Sequence, residues 1–176
     1  MTTVVAVHGL WMLGASMALM SRRLGPHGFR VQAFGYRSVS DDLTTNARAL
    51  LRFIDALPDE RVHLIGHSLG GVVIAAALAQ AVRERVGRVV LLGSPLRGSL
   101  TARRLCRFPG GRLFVGACIA ELHARGGLTE WTASVEVGSI AGQAGIGVGR
   151  LFGSFPGPND GTVAVASADS EAVKRA

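Results

Sequence analysis

The sequence predicts an α/β protein: a mostly parallel central sheet with helices on both faces. Three observations carry this. Thr3-Val4-Val5-Ala6-Val7 is a continuous β-branched and apolar run, the mark of a strand buried on both faces. A second apolar run leads straight into Gly66-His67-Ser68-Leu69-Gly70-Gly71, and an Ala-rich helical run follows it. Strand-like and helix-like patterns then alternate along the chain, the rhythm of a parallel sheet with crossover helices.

Composition sets the bounds. The 176 residues are enough for one domain with a core of its own. Hydrophobic residues make up 48% and charged residues 18%, which excludes a disordered chain. The expectation is a single domain over residues 1–176, with a short helical cap-like insertion around residues 99–130. The net charge is +7, nearly all from arginine, and Lys174 is the only lysine. The arginines are scattered, without a helix-turn-helix, zinc-finger or stacking motif, so no nucleic-acid partner is expected. A weak contact with a membrane surface or an acidic substrate is the softer expectation. Cys106 and Cys118 fit neither metal spacing nor a disulfide framework, so no metal is expected and both read as reduced structural residues. No basic segment precedes an apolar one at the N-terminus, and the apolar stretches 10–20 and 72–82 are too short to span a bilayer. The reading is a cytoplasmic protein with no integral membrane segment.

The elements follow in order. The strand at 3–7 ends in His8-Gly9-Leu10-Trp11. His8 reads as a brace for this loop rather than a catalytic base. Residues 14–24 read as a helix, with Met17, Leu19, Met20 and Leu24 toward the core, and Gly25-Pro26-His27-Gly28 as a turn. Residues 29–34 alternate apolar and polar, as in a less buried strand. Ser40 or Asp41 is placed to cap a helix over 42–57, where Leu43, Ala47, Leu50, Leu51, Ile54 and Leu57 recur at helical spacing. Strands are expected at 61–65, 88–92 and 134–142. Between the last two, Arg103, Arg104 and Arg107 crowd a short helix that reads as a solvated face. The glycine-rich stretch 145–157 lacks the Gly-Lys-Ser/Thr of a phosphate loop.

The chemistry concentrates at Ser68. In Gly66-His67-Ser68-Leu69-Gly70 the flanking glycines let strand and helix approach without a Cβ between them. Ser68 then occupies a strained corner with its hydroxyl presented outward. The Leu69 N–H opens a helix and points at any oxyanion formed there. The N–H of Leu10, less favourably that of Trp11, would face it across the carbonyl oxygen. Asp160 follows in an Asn159-Asp160-Gly161 turn after a late strand, in the chain order serine then acid; Asp169 is the weaker alternative.

Together, His8-Gly9-Leu10-Trp11, Gly66-His67-Ser68-Leu69-Gly70-Gly71, Gly93-Ser94-Pro95 and Pro158-Asn159-Asp160-Gly161-Thr162-Val163 resemble a small bacterial lipase or esterase of the α/β-hydrolase superfamily. The branch most like it is that of the GPI inositol-deacylases. The resemblance covers nearly the whole chain. It implies the α/β-hydrolase fold, Ser68 as nucleophile, Asp160 as triad acid, and Leu10 and Leu69 as oxyanion-hole donors. It also implies hydrolysis of a small-molecule or lipid-like carboxylic ester without a cofactor. Trp11, with Met12, Leu13 and Phe155, would line the acyl side of the site. In one respect the chain departs from the family. The family's histidine follows the acid, whereas His8, His27, His63, His67 and His123 all precede Asp160. Three readings follow: a piece of a longer enzyme lacking the C-terminal strand and helix, an earlier histidine serving as base, or an impaired hydrolase-fold protein acting as an acyl-binding, lipid-binding or interaction module.

Overall fold

The computed structural model describes residues 1–81, 84–98, 102, 110–128 and 135–141. Within them, β1 (Thr2–Val7), β2 (Phe29–Phe34), β3 (Val62–His67), β4 (Val86–Leu92) and β5 (Glu136–Ile140) form one parallel sheet in the order β2-β1-β3-β4-β5. Val7 pairs with Phe34 on one side and Gly66 on the other, so the carboxyl ends of these strands share one edge. The strand order reverses between β1 and β3. Chain leaving β1 leads to β2 on one side and chain leaving β3 leads to β4 on the other, which opens a crevice at their carboxyl ends.

Alternation along the strands divides the sheet into two faces. Val5, Val7, Leu64, Val89, Leu91 and Val137 belong to the main core, with residues of α2 (Leu43–Ala56), α3 (Leu69–Gln80) and α4 (Gly111–Ala124). Helix α3 is buried over its first ten residues, Leu69 through Leu78. That explains an apolar sequence with no polar stripe: such a helix belongs at the centre of the fold. Helix α2 is amphipathic and buries Leu43, Ala47, Leu50, Leu51 and Ile54. Helix α4 buries Val115, Cys118 and Leu122. It is kinked at Gly116, where φ is 77°, and the Ala117 N–H beyond the kink donates to the Val39 carbonyl at 2.8 Å. The opposite face carries α1 (Ala18–Leu24), whose Leu24 borders a cleft of about 270 Å³ with Val4, Phe29, Ile65 and Val90 and, at its rim, His63 and Arg88.

The sequence reading holds for the order and kind of these elements, with local corrections. The helix expected over 14–24 begins as a 3-10 turn, Gly14–Met17, before α1. Leu19, expected in the core, is 59% exposed. The cap of α2 is neither Ser40 nor Asp41 but Asp42, whose carboxylate accepts the Thr45 N–H at 2.7 Å. Strand β3 runs through His67, so the turn to α3 occupies Ser68 alone.

Candidate active site

Ser68 joins β3 to α3 with φ 52° and ψ −119°, a combination L-residues avoid. Its surroundings enforce it. The Ser68 N–H still pairs with the Leu92 carbonyl at 2.8 Å, extending the sheet by one bond, while the Ser68 carbonyl already accepts the Gly71 N–H at 3.1 Å in the first helical turn. Strand and helix are pressed together there. A Cβ on Gly66 would strike the Gly71 backbone, one on Gly70 would overlap the Val7 carbonyl, and one on Gly71 would overlap the Ser94 hydroxyl. Ser68 itself is half-buried. Leu69 is the first residue of α3, so its N–H has no partner within the helix.

The loop after β1 lies beside this corner. A Cβ on Gly9 would sit 3.3 Å from the Ser68 Cβ and 3.2 Å from the His67 Nδ1. The Met12 N–H donates to the Gly9 carbonyl at 3.3 Å, which closes a turn with Leu10 and Trp11 at its centre. Trp11 has φ 60°, as the third residue of a type II turn requires. Among the described residues, Trp11 and Ser68 are the only non-glycines with positive φ. Backbone strain collects where a site over-determines it, and here both strained residues follow the carboxyl ends of the adjacent strands β1 and β3.

Two supports went unrecognised in the sequence. The Tyr36 hydroxyl donates to the His8 carbonyl at 2.8 Å, and its ring stacks on the His8 ring with centroids 4.4 Å apart. Burial pushes the Tyr36 phenol well above its ordinary range, so it stays a donor. Ser94 is fully buried and its hydroxyl donates to the Gly66 carbonyl at 3.4 Å, behind the elbow. The signal for Ser94 was the Gly93-Ser94-Pro95 motif. Tyr36 carried no local signal, because its role depends on β2 pairing beside β1.

The histidines divide by position. His8 is 1% exposed; the Tyr36 N–H reaches its Nε2 at 3.5 Å, so Nδ1 carries the proton and donates to the Gly9 carbonyl at 2.8 Å. Both ring nitrogens are thus engaged in holding the loop, as its reading as a brace requires. His63 accepts the Arg88 N–H at 2.8 Å from within β3; burial, then Arg61 and Arg88, holds its pKa below the ordinary value. His27 and His123 are exposed, in a 3-10 turn and at the end of α4. His67 is half-buried next to Ser68 in sequence. Asp160, Asp169, Phe155, Cys106 and the Arg103, Arg104 and Arg107 cluster lie outside the described residues. Among the described residues no helix is long and apolar enough to cross a membrane.

Known proteins share the fold of this chain. The alpha/beta hydrolase family matches residues 4–170. A 2-hydroxy-6-oxononadienedioate/2-hydroxy-6-oxononatrienedioate hydrolase of Paraburkholderia xenovorans is 38% identical over 109 residues, covering 54% of this chain and 37% of that protein. A 2-hydroxy-6-oxo-6-phenylhexa-2,4-dienoate hydrolase of Comamonas testosteroni is 42% identical over 66 residues, covering 36% of this chain and 21% of that protein. The chain therefore spans well under half the length of these curated relatives. The mature Bacillus licheniformis lipase BlEst2 superposes with a TM-score of 0.79 at 21% identity, over 99% of this chain and 81% of that one, a likeness of fold. The strand order, the turn at Ser68 and the family match agree: the chain belongs to the alpha/beta hydrolase family.

Proposed function

We propose that the chain carries the nucleophile of a serine hydrolase that cleaves carboxylic esters of lipase or esterase type. The observation that supports it most is Ser68 at φ 52° and ψ −119°, on the edge where the strand order reverses and beside the loop that carries Leu10. In this reading the Ser68 Oγ attacks the ester carbonyl carbon as a base takes its proton. The N–H groups of Leu10 and Leu69 hold the negative oxygen. Collapse expels the alcohol, which takes up a proton, and leaves an acyl group on Ser68; water then releases the acid. Asp160 is the triad acid that orients the base, and Trp11 borders the substrate. The chemistry needs no cofactor. The substrate is a small-molecule or lipid-like ester, and a buried, free Cys118 suits a reducing cytoplasm.

The test is hydrolysis of p-nitrophenyl esters by the full chain and by Ser68→Ala. A rate that vanishes in the variant supports the reading, and equal rates overturn it. Asp160→Asn should lower the same rate. The two relatives above are named for hydroxy-oxo-dienoate substrates, so an acid of that class belongs in the panel. A second reading has its own observation: all five histidines precede Asp160. An impaired hydrolase-fold module would bind a fatty-acid probe yet escape labelling by a fluorophosphonate. Labelling at Ser68 would exclude it.

A further inference from the structure

Strand β4 carries one residue more than β3 where the two pair. Val62 pairs with Val86 and Leu64 with Val89, so two steps along β3 match three along β4. The surplus decides what is buried. Val62, Leu64, Val86, Val89 and Leu91 all belong to the main core. Strict alternation from Val86 would turn Arg88 and Val90 into that core; the extra residue puts both on the opposite face, at the cleft. Beyond the bulge His67 lies opposite Leu92, whose carbonyl takes the Ser68 N–H.

An extra residue leaves a backbone group unpaired unless another partner takes it. Here the partner is a side chain: the His63 Nδ1 accepts the Arg88 N–H at 2.8 Å. The imidazole lies against the bulge itself. A Cβ on Gly87 would come within 2.7 Å of the His63 Cε1 and 2.8 Å of the Arg61 Nε. An Nδ1 that accepts leaves the proton of the neutral ring on Nε2. Protonation turns that acceptor into a donor facing another donor.

The charged groups that face His63 resist this protonation. Arg61 on β3 and Arg88 on β4 add to burial in holding its pKa below the ordinary value. Glu136 on β5 pairs with Arg88 at 2.9 Å, but both groups are exposed, where such a pair counts for little. Glu60 is exposed ahead of β3, and the Arg85 guanidinium is bonded to the carbonyls of Asp55, Leu57 and Asp59. From β1, β2 and α1 the cleft receives Val4, Phe29 and Leu24, all apolar.

We propose that His63 is an acid-sensitive pin for β4. As a neutral imidazole it closes the bulge and holds the register; as an imidazolium it drops the Arg88 N–H and loosens the β3–β4 pair. The pin does not rest on the ester-hydrolase reading of Ser68. A histidine with a depressed folded pKa adds stability above its unfolded pKa, and that stability is lost as pH falls through the folded one.

The experiment uses the full chain, His63→Asn and His63→Leu. The asparagine Oδ1 can take the place of Nδ1 and accept without titrating; leucine cannot accept. Imidazole nitrogen shifts followed by NMR should show His63 titrating below the ordinary histidine value, with the neutral ring protonated on Nε2. From neutral pH to about pH 5 the hydrogen-exchange protection of the Arg88 amide should fall about three- to tenfold in the parent, more than that of Val5 in β1. In His63→Asn it should hold. In His63→Leu it should already be low at neutral pH; if that variant does not fold, the asparagine comparison decides alone. The melting temperature of the parent minus that of His63→Asn should drop over the same range, since the carboxylates common to both cancel in the difference. A neutral ring protonated on Nδ1, the same acid response in parent and His63→Asn, or a folded His63→Leu that protects Arg88 like the parent at neutral pH would overturn the proposal.

Discussion

The Tyr36 hydroxyl donates a 2.8 Å hydrogen bond to the carbonyl of His8, while the two rings stack 4.4 Å apart. One side chain from β2's end thus fixes both the backbone and the ring of the residue that starts the Gly9-Leu10 loop. Tyr36→Phe keeps the stack and removes the bond. It should cost about 1 kcal/mol in stability, measured by urea unfolding. If Leu10 supplies an oxyanion donor, kcat should fall more than KM rises, because the loop loses its aim rather than its contact with substrate. An unchanged kcat would remove Tyr36 from the positioning of the site.

Ser68 offers a test of strain separate from chemistry. Its φ of 52° costs a serine or an alanine, but not a glycine. Ser68→Gly and Ser68→Ala should both abolish esterase activity. Ser68→Gly should nonetheless be the more stable by about 1 kcal/mol, after the glycine's greater unfolded-state entropy is set against the relieved strain. Paired thermal melts decide it; an alanine variant as stable as the glycine one would mean that the corner relaxes.

Gly70→Ala should behave in the opposite way. Its new Cβ would overlap the Val7 carbonyl, a backbone atom of the central strand that has nowhere to move. The expected loss is about 2 kcal/mol or more, with the fluorophosphonate reaction at Ser68 slowed in whatever folds. Gly28→Ala gives a contrast: no atom stands within 4 Å of its Cβ, and only its φ of 85° resists the change.

These glycines show how much was legible beforehand. Gly66, Gly70 and Gly71 declared a close approach because their spacing brackets a serine between an apolar strand and an apolar helix. The strand runs at 3–7 and 88–92 were readable because both faces of each strand need apolar cover. Leu19 was misread because a short helix beginning as a 3-10 turn rotates its faces away from simple periodicity. The Asp42 cap was missed by one residue, since three polar side chains in a row, Ser40, Asp41 and Asp42, can each cap. Tyr36 was silent, and the Gly93-Ser94-Pro95 motif marked Ser94 without giving its partner, for another reason. Each acts across strands that meet only when the sheet forms.

The junction of α2 and α4 predicts an acid response. Burial pushes the Glu121 carboxyl upward, but bonds from the Thr44 hydroxyl at 2.7 Å and the Thr44 N–H at 3.0 Å, with Arg125 beside it, leave it below the ordinary value. A carboxyl depressed in the folded state adds stability above its unfolded pKa and loses it as pH falls through the folded one. Melting temperature should therefore drop as pH falls below the ordinary carboxylate range. Glu121→Gln should be less stable than the parent at neutral pH, and the gap should close in acid. A gap independent of pH would assign the effect to packing.

The remaining prediction concerns the base. Both His8 ring nitrogens hold the loop, and His63 accepts the Arg88 N–H from within β3, so neither is placed to take a proton from Ser68. None of the five histidines follows Asp160. If the chain as given lacks its own base, a small diffusible base should substitute in part, because general-base assistance is worth about 10²–10⁴-fold when well placed. Imidazole should raise the Ser68-dependent rate of p-nitrophenyl acetate hydrolysis, taken as the rate of the parent minus that of Ser68→Ala at each concentration. The subtraction removes direct attack by imidazole on the ester. His67→Ala makes the result decisive: if His67 serves as the base, the parent should gain little and the variant much. A gain of the same size in both would show that the elbow and its oxyanion donors are intact while the proton acceptor must come from outside these residues.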